Sequence, residues 1–421
     1  MSMKFKILAC GQGATKSIAR ALKEGLFDSD DLIIVNSTTK DIPAKLADIN
    51  SYIISSNTDS GCGKVRNAAK KLMVEYIKEN EDKIQEDLAG TDCAIILATS
   101  EGASGSGSSI VLSSYIRSLD IPVIVILISG FESDVRGLQN TISYFKDLKD
   151  TDCGIICVSN KKFLEDTSNM FKAEGLANDY ITDILSTLTL NGIYDSDQNI
   201  DNTDHYKIVT ECGSMIAVSS PITKKFKNVD QFNKHIADMI DYNKFLEFVP
   251  SCKKIGIYLD ISEDNLEHLD TEFTVIKNKL CGAGIVPELF IHKQDTGSQF
   301  IRIIASGLDL PKEEVMSMYE KYKENSESVN KKDDFFDVVS DMSTNTLNKK
   351  KTAGSLFENM SFDDDEDEIS SDLIEKMNKP KKSTLVVNNA VVQDSVPKKE
   401  SKFNTANSKK VNYNEDKLNK L

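Results

Sequence analysis

The chain has 421 residues, enough for two or three domains with a sizeable core, and carries 51 Lys and Arg against 66 Asp and Glu. A formal charge of −15 argues against a folded body that coats nucleic acid or an anionic membrane by bulk attraction. The longest apolar run, residues 121–128, falls far short of the ~20 residues of a spanning helix, and the opening Met-Ser-Met-Lys-Phe-Lys leads directly into a short strand. A cytoplasmic protein with no membrane contact is expected. Eight cysteines without a Cys-x-x-Cys pair, beside only four histidines, point to reduced, packed thiols rather than a metal site.

Over the first 160 residues, β-rich runs at 5–10, 32–36, 51–54, 93–98, 123–128 and 154–158 alternate with helical patterns, which predicts a doubly wound α/β unit with a parallel sheet. Residues 62–88 read as one long amphipathic helix that stops at Gly90. Residues 176–191 read as a second, ended by Gly192, with an apolar face broad enough to bury against a sheet and a second body. The polar loop 195–204 then places four carboxylates within ten residues. After it the pattern becomes α+β: strand 213–219, helix 229–248, strand 254–261, helix 266–280 and strands 288–292 and 299–304, a smaller second domain. Pro311 opens a helix over 312–325. Residues 326–421 lack sustained periodicity and are expected to be a disordered tail. Its charge is segregated, with eight acids and no base over 363–375 and eleven lysines against four acids over 376–421.

Two loops carry the chemistry. The run 99–109, Thr-Ser-Glu-Gly-Ala-Ser-Gly-Ser-Gly-Ser-Ser, stands between a strand and a helix. Its small residues let backbone N–H groups approach an anion that also meets the positive end of the helix. The strand at 5–10 likewise ends in Gly11-Gln12-Gly13, a weaker phosphate-loop signal. A dinucleotide fold is disfavoured, because Lys16 stands where its third glycine would be and the next strand ends in Asn36 rather than an acid. A Walker loop also fails, since Gly63-Lys64 is followed by Val65.

Two phosphate loops, with acidic residues held apart after a long helix, resemble the tubulin/FtsZ family over about residues 4–310. The family's Gly-Gly-Thr-Gly-Ser/Thr-Gly is similar to Gly102, Ala103, Ser104, Gly105, Ser106 and Gly107 here, with Glu101 in place of the small residue before it. The resemblance implies an α/β fold: a Rossmann-type GTPase domain at 1–175, a central helix and catalytic loop at 176–204, an activation domain at 205–310, a C-terminal helix at 311–325 and the tail. It assigns ribose and phosphate contacts to Glu132 and Arg136, a base or ribose contact to Asn160, and guanine recognition to Asp179. Asn36 and the loop 60–68 look like the remaining nucleotide loops. GTP or GDP with Mg²⁺ is the implied cofactor set. Asp201 and Asp204 resemble the carboxylates that reach the γ-phosphate of the next subunit, so hydrolysis would require head-to-tail self-assembly.

Within the family, the Gly-Cys-Gly-Lys-x-Arg-Asn loop at 61–67 and the tail are similar to the plasmid and phage TubZ group. That likeness implies a polar filament in a bacterial host cytoplasm that moves replicon DNA through a TubR-like DNA-binding adaptor held by the tail. A phage-positioning PhuZ-like filament, an FtsZ-like cytoskeletal GTPase and a slowly hydrolysing scaffold stay open as alternatives. So does an unrelated nucleotide-binding enzyme. The helix at 312–325 either lies along a neighbouring subunit or packs on its own domain.

Overall fold

The computed structural model describes residues 3–55, 61–132, 135–190, 202–281, 285–293 and 298–325. Its strands are β1 (Phe5–Cys10), β2 (Leu32–Asn36), β3 (Asn50–Ile53), β4 (Cys93–Thr99), β5 (Val123–Ser129), β6 (Gly154–Ser159), β7 (Gly213–Ile222), β8 (Lys254–Ile261), β9 (Glu288–Lys293) and β10 (Gln299–Leu308). The helices are α1 (Gly11–Lys23), α2 (Arg66–Glu79), α3 (Glu81–Asp87), α4 (Ala103–Ser118), α5 (Val135–Leu148), α6 (Met170–Thr189), α7 (Asn202–Val209), α8 (Val229–Asp241), α9 (Glu263–Leu266), α10 (Thr274–Leu280) and α11 (Lys312–Asn325).

All ten strands join one sheet in the order β3-β2-β1-β4-β5-β6-β7-β10-β8-β9. β1 to β6 are parallel to their neighbours, and β7-β10-β8 is antiparallel. β4 to β6 are apolar and buried along nearly their whole length, as strands covered on both faces must be. The period-two alternation of β1 shows the two layers: Phe5, Ile7 and Ala9 enter the core shared with α1 and α6, whereas Leu8 and Cys10 enter the core shared with α2, α4 and α5. Strand order reverses between β1 and β4, which opens a crevice at their carboxyl ends.

The parallel α/β layout expected from the alternating runs is present. Several boundaries differ for local reasons. The expected helix at 62–88 is α2 and α3, broken at Asn80, whose Nδ2 donates to the Tyr76 carbonyl and whose backbone leaves the helical region. α4 begins at Ala103, so most of the expected small-residue loop is already helix. α6 starts six residues before the expected Leu176, because the Asn169 side chain caps it by accepting from Phe171 N and Lys172 N. It ends at Thr189 with Leu190 left-handed, and Gly192 lies outside the described residues. The helix expected over 229–248 stops at Asp241, and that expected over 266–280 is the short α9 and α10. β7, β10, β8 and β9 join the same sheet as β1 to β6. α11 packs on α5 of its own chain, burying Val315, Met318 and Tyr319 in the α5-side core. The expected tail and residues 195–201 of the loop 195–204 lie outside the described residues. Among the described residues no helix is long and apolar enough to cross a membrane.

Candidate functional site

The crevice between β1 and β4 is formed by two helix N-termini that stand almost in contact. Gly11 opens α1 at φ +81°, and a Cβ there would lie 3.0 Å from Gly105 N. A Cβ on Gly105 would sit 2.8 Å from the Cys10 carbonyl oxygen and 3.2 Å from that of Thr99. At Gly13 it would fall 2.4 Å from Thr99 Cγ2. Gly11 and Gly105 therefore let the first turns of α1 and α4 close on each other, and Gly13 lets α1 close on the end of β4, aiming two sets of unpaired N–H groups and two dipole ends at one place. Gln12 is exposed in the first turn of α1.

Around this pair the strand ends bring polar groups that the protein leaves unsatisfied. Asn36 at the end of β2 is 1% exposed, and its Nδ2 is buried without a hydrogen-bond partner. The same holds for Ser129 Oγ at the end of β5 and for Asn160 Oδ1 just beyond β6. Buried polar atoms are rarely left unmade, so three of them along one sheet edge fit a polar ligand seated there. Ser104, in the first turn of α4, meets Ser37 hydroxyl to hydroxyl at 2.8 Å.

Glu101 does not face the two helix starts. Its carboxylate lies against Gly130, where a Cβ would fall 2.0 Å from its Cδ, and its Oε1 accepts the Glu132 backbone N–H at 2.9 Å. Its carbonyl accepts from Asn140 Nδ2 at 3.0 Å. The acid that departs from the family pattern is thus a bracket between the β4–α4 and β5–α5 loops. Arg66 supports the second loop from behind: Nε donates to Ser106 Oγ at 3.0 Å, and Nη2 reaches Asp147 at 2.6 Å, where Lys70 also pairs at 2.9 Å. Burial would raise the Asp147 carboxyl, but those two cations hold it below the usual carboxylate range. Gly107 allows this approach, since its Cβ would lie 2.6 Å from the Arg66 carbonyl oxygen. Gly102 is the N-cap of α4, and Ala103 is buried as its first residue.

Glu132 sits at φ +56°, only 8% exposed at its side chain, with Lys161 at 3.1 Å and Lys321 of α11 on the same carboxylate oxygen. Burial opposes its ionisation, yet the bonds from Lys321 and Lys161 keep its pKa lowered. Arg136 lies in the first turn of α5 and donates from Nε to the Lys64 carbonyl at 3.3 Å. The expected helix-opening run Ala177-Asn178-Asp179 lies well inside α6, facing α1: Asn178 Oδ1 accepts from Ser17 at 2.7 Å, and Asp179 pairs with Arg20 at 2.7 Å. Asp204 is in the first turn of α7, paired with Lys207 at 2.8 Å. Asp201 lies outside the described residues. No cluster of three or more His, Cys, Asp or Glu side chains among the described residues is placed to hold a metal ion.

Residues 4–168 match the model of the Tubulin/FtsZ family, GTPase domain. This part of the chain is a tubulin/FtsZ-family GTPase domain. The cell division protein FtsZ of Mycoplasmopsis pulmonis is 26% identical over 163 residues, which are 38% of this chain and 40% of that protein, so the chain spans less than half of that relative's length. Beyond the tubulin/FtsZ segment the likeness is one of fold. The TubZ of Clostridium botulinum phage c-st, solved with its C-terminal tail truncated, superposes with a TM-score of 0.59 at 18% identity, over 77% of this chain and 99% of that one. A GTPγS-form protofilament of TubZ from Bacillus thuringiensis serovar israelensis gives 0.61 at 17% identity, over 77% and 93%.

Sequence reasoning missed Ser37, Ser129, Lys161 and Lys321. The first two carry a usable signal, since each lies at or just past the carboxyl end of a parallel strand, where α/β sheets bind ligands.

Proposed function

We propose that this chain binds and hydrolyses GTP and assembles head to tail into a polar filament of the TubZ type. The observation that carries this reading is the convergence of the α1 and α4 N-termini at the sheet's switch point, beside the unsatisfied Asn36, Ser129 and Asn160. Backbone N–H groups of Gln12, Gly13, Ser104 and Gly105 would take the phosphates. Asn36 Nδ2 would donate to a phosphate oxygen, and Asn160 Oδ1 would accept from the ribose or base. Glu132 and Arg136 would flank the ribose and phosphates, and Asp179 would exchange Arg20 for the guanine N–H donors. Mg²⁺ would arrive on the phosphates, which suits an ion that keeps most of its waters and needs few protein ligands. With Glu101 occupied against Gly130, no carboxylate opposes the phosphates from that loop, which favours turnover over a merely structural filament.

Hydrolysis asks for a positioned water and charge stabilisation. Asp201 and Asp204 supply the first to the subunit on which they dock. The filament works in the cytoplasm, and its tail engages a TubR-like adaptor on plasmid or phage DNA. Equilibrium binding of a fluorescent GTP analogue, competed with GTP and with ATP, tests the site. GTP alone should displace it, and Asn160→Ala should weaken binding ~10-fold, the loss of a hydrogen bond worth about 1–1.5 kcal/mol. Equal displacement by ATP, or no binding, would overturn the assignment.

A further inference from the structure

Far from the nucleotide crevice, the segment leading into β8 meets the C-terminal end of α10. Cys252 and Cys281 form a parallel bridge there: Cys252 N donates to the Leu280 carbonyl at 3.1 Å, and the two sulfurs are 2.9 Å apart. Both side chains are buried, at 2% and 7% exposure, in the core that holds β8 and β10. Two thiols this close and held by their backbones have already lost the freedom that pairing would remove. We propose that Cys252 and Cys281 are a peroxide-sensitive dithiol site, which oxidises to an intramolecular disulfide that ties β8 to α10.

The roles of the two sulfurs are unequal. Cys252 S–H donates to Cys281 Sγ. That bond lowers the Cys281 pKa, with Lys277 one turn back on α10 adding to it, and raises that of Cys252. Cys281 is therefore the attacking thiolate. It takes one oxygen of hydrogen peroxide, the O–O bond breaks, and the departing hydroxide becomes water. Cys252 sulfur then attacks the Cys281 sulfenic sulfur, the S–O bond breaks, and the Cys252 proton leaves with the second hydroxide as water. Two thiols and one peroxide give one disulfide and two waters. By contrast, burial pushes the Cys10 and Cys153 thiols up to about 12, and those of Cys93 and Cys157 higher still, which leaves them inert.

The test treats the reduced full-length protein with hydrogen peroxide, blocks remaining thiols with N-ethylmaleimide, and maps tryptic peptides by mass. Peptides 245–253 and 280–293 should appear joined, lighter by two hydrogen atoms than their sum and separated again by dithiothreitol. The joined form should show a raised Tm and slower amide exchange across 254–280. With Cys252→Ser, dimedone should label Cys281. Both peptides recovered separately alkylated, a bridge between other cysteines, or Cys281 carried to the sulfinic acid without a bridge would each overturn the proposal.

Discussion

Lys321, near the end of α11, donates to the same Glu132 oxygen that Lys161 approaches at 3.1 Å, so the C-terminal helix is pinned to the loop after β5. α11 is buried along Val315, Met318 and Tyr319, and Lys321 is its polar contact with the rim of the proposed nucleotide site. Glu132→Gln should remove the charge that holds both lysines. Faster amide exchange in α11 and a ~10-fold weaker affinity for GTP are expected, as for loss of a charged hydrogen-bond partner. Unchanged exchange in α11 would show that its apolar face alone holds it. Because the Glu132 pKa is lowered, this contribution is present above the ordinary carboxylate range and is lost as pH falls through the depressed value.

The close approach of α1 to β4 gives a repair experiment. Gly13→Ala would place a Cβ 2.4 Å from Thr99 Cγ2 and only 3.5 Å from Thr99 Cβ and Oγ1. Destabilisation of about 1–3 kcal/mol is expected, with loss of nucleotide binding as α1 is displaced. Thr99→Ser removes the offending methyl, so the double variant should recover both. Chemical denaturation and GTP binding measured on the three variants check it, and failure of the second change to restore binding would place the fault elsewhere.

His205 of α7 joins the end of α6 to β8. Its Nε2–H donates to the Leu188 carbonyl at 3.1 Å, and its Nδ1 lies 2.7 Å from the Tyr258 hydroxyl, an arrangement suited to the neutral ring. Burial lowers its pKa from 6.5 to about 4. The unfolded chain binds the proton more readily, so stability is full above pH 6.5 and is lost as pH falls toward about 4, by roughly 3 kcal/mol. Denaturant melts between these limits should show that slope, and His205→Gln should flatten it.

Much of the scaffold was legible because it rests on local pattern. The apolar runs that became β1, β2 and β8 had their limits in the residues themselves, and Pro311 marked the start of α11. What failed was set by single side chains or by distant partners. Asn169 capping α6 and Asn80 taking the Tyr76 carbonyl moved helix ends that periodicity alone put elsewhere. The placement of the two glycine loops at one crevice followed from strand order. The turn of Glu101 onto Gly130 did not, because it depends on a contact across 29 residues of chain that no spacing rule encodes. Lys321 reaching Glu132 across 189 residues is of the same kind.

If catalysis is completed between subunits, hydrolysis depends on assembly. Phosphate release from GTP, measured against protein concentration for the wild type and for Asp201→Ala with sedimentation of the same samples, tests it most directly. A concentration threshold is expected in the wild type. In the variant, polymer should still sediment while its release rate falls by ~10²–10⁴-fold. Release proportional to protein from the lowest concentration, with no polymer, would contradict that dependence.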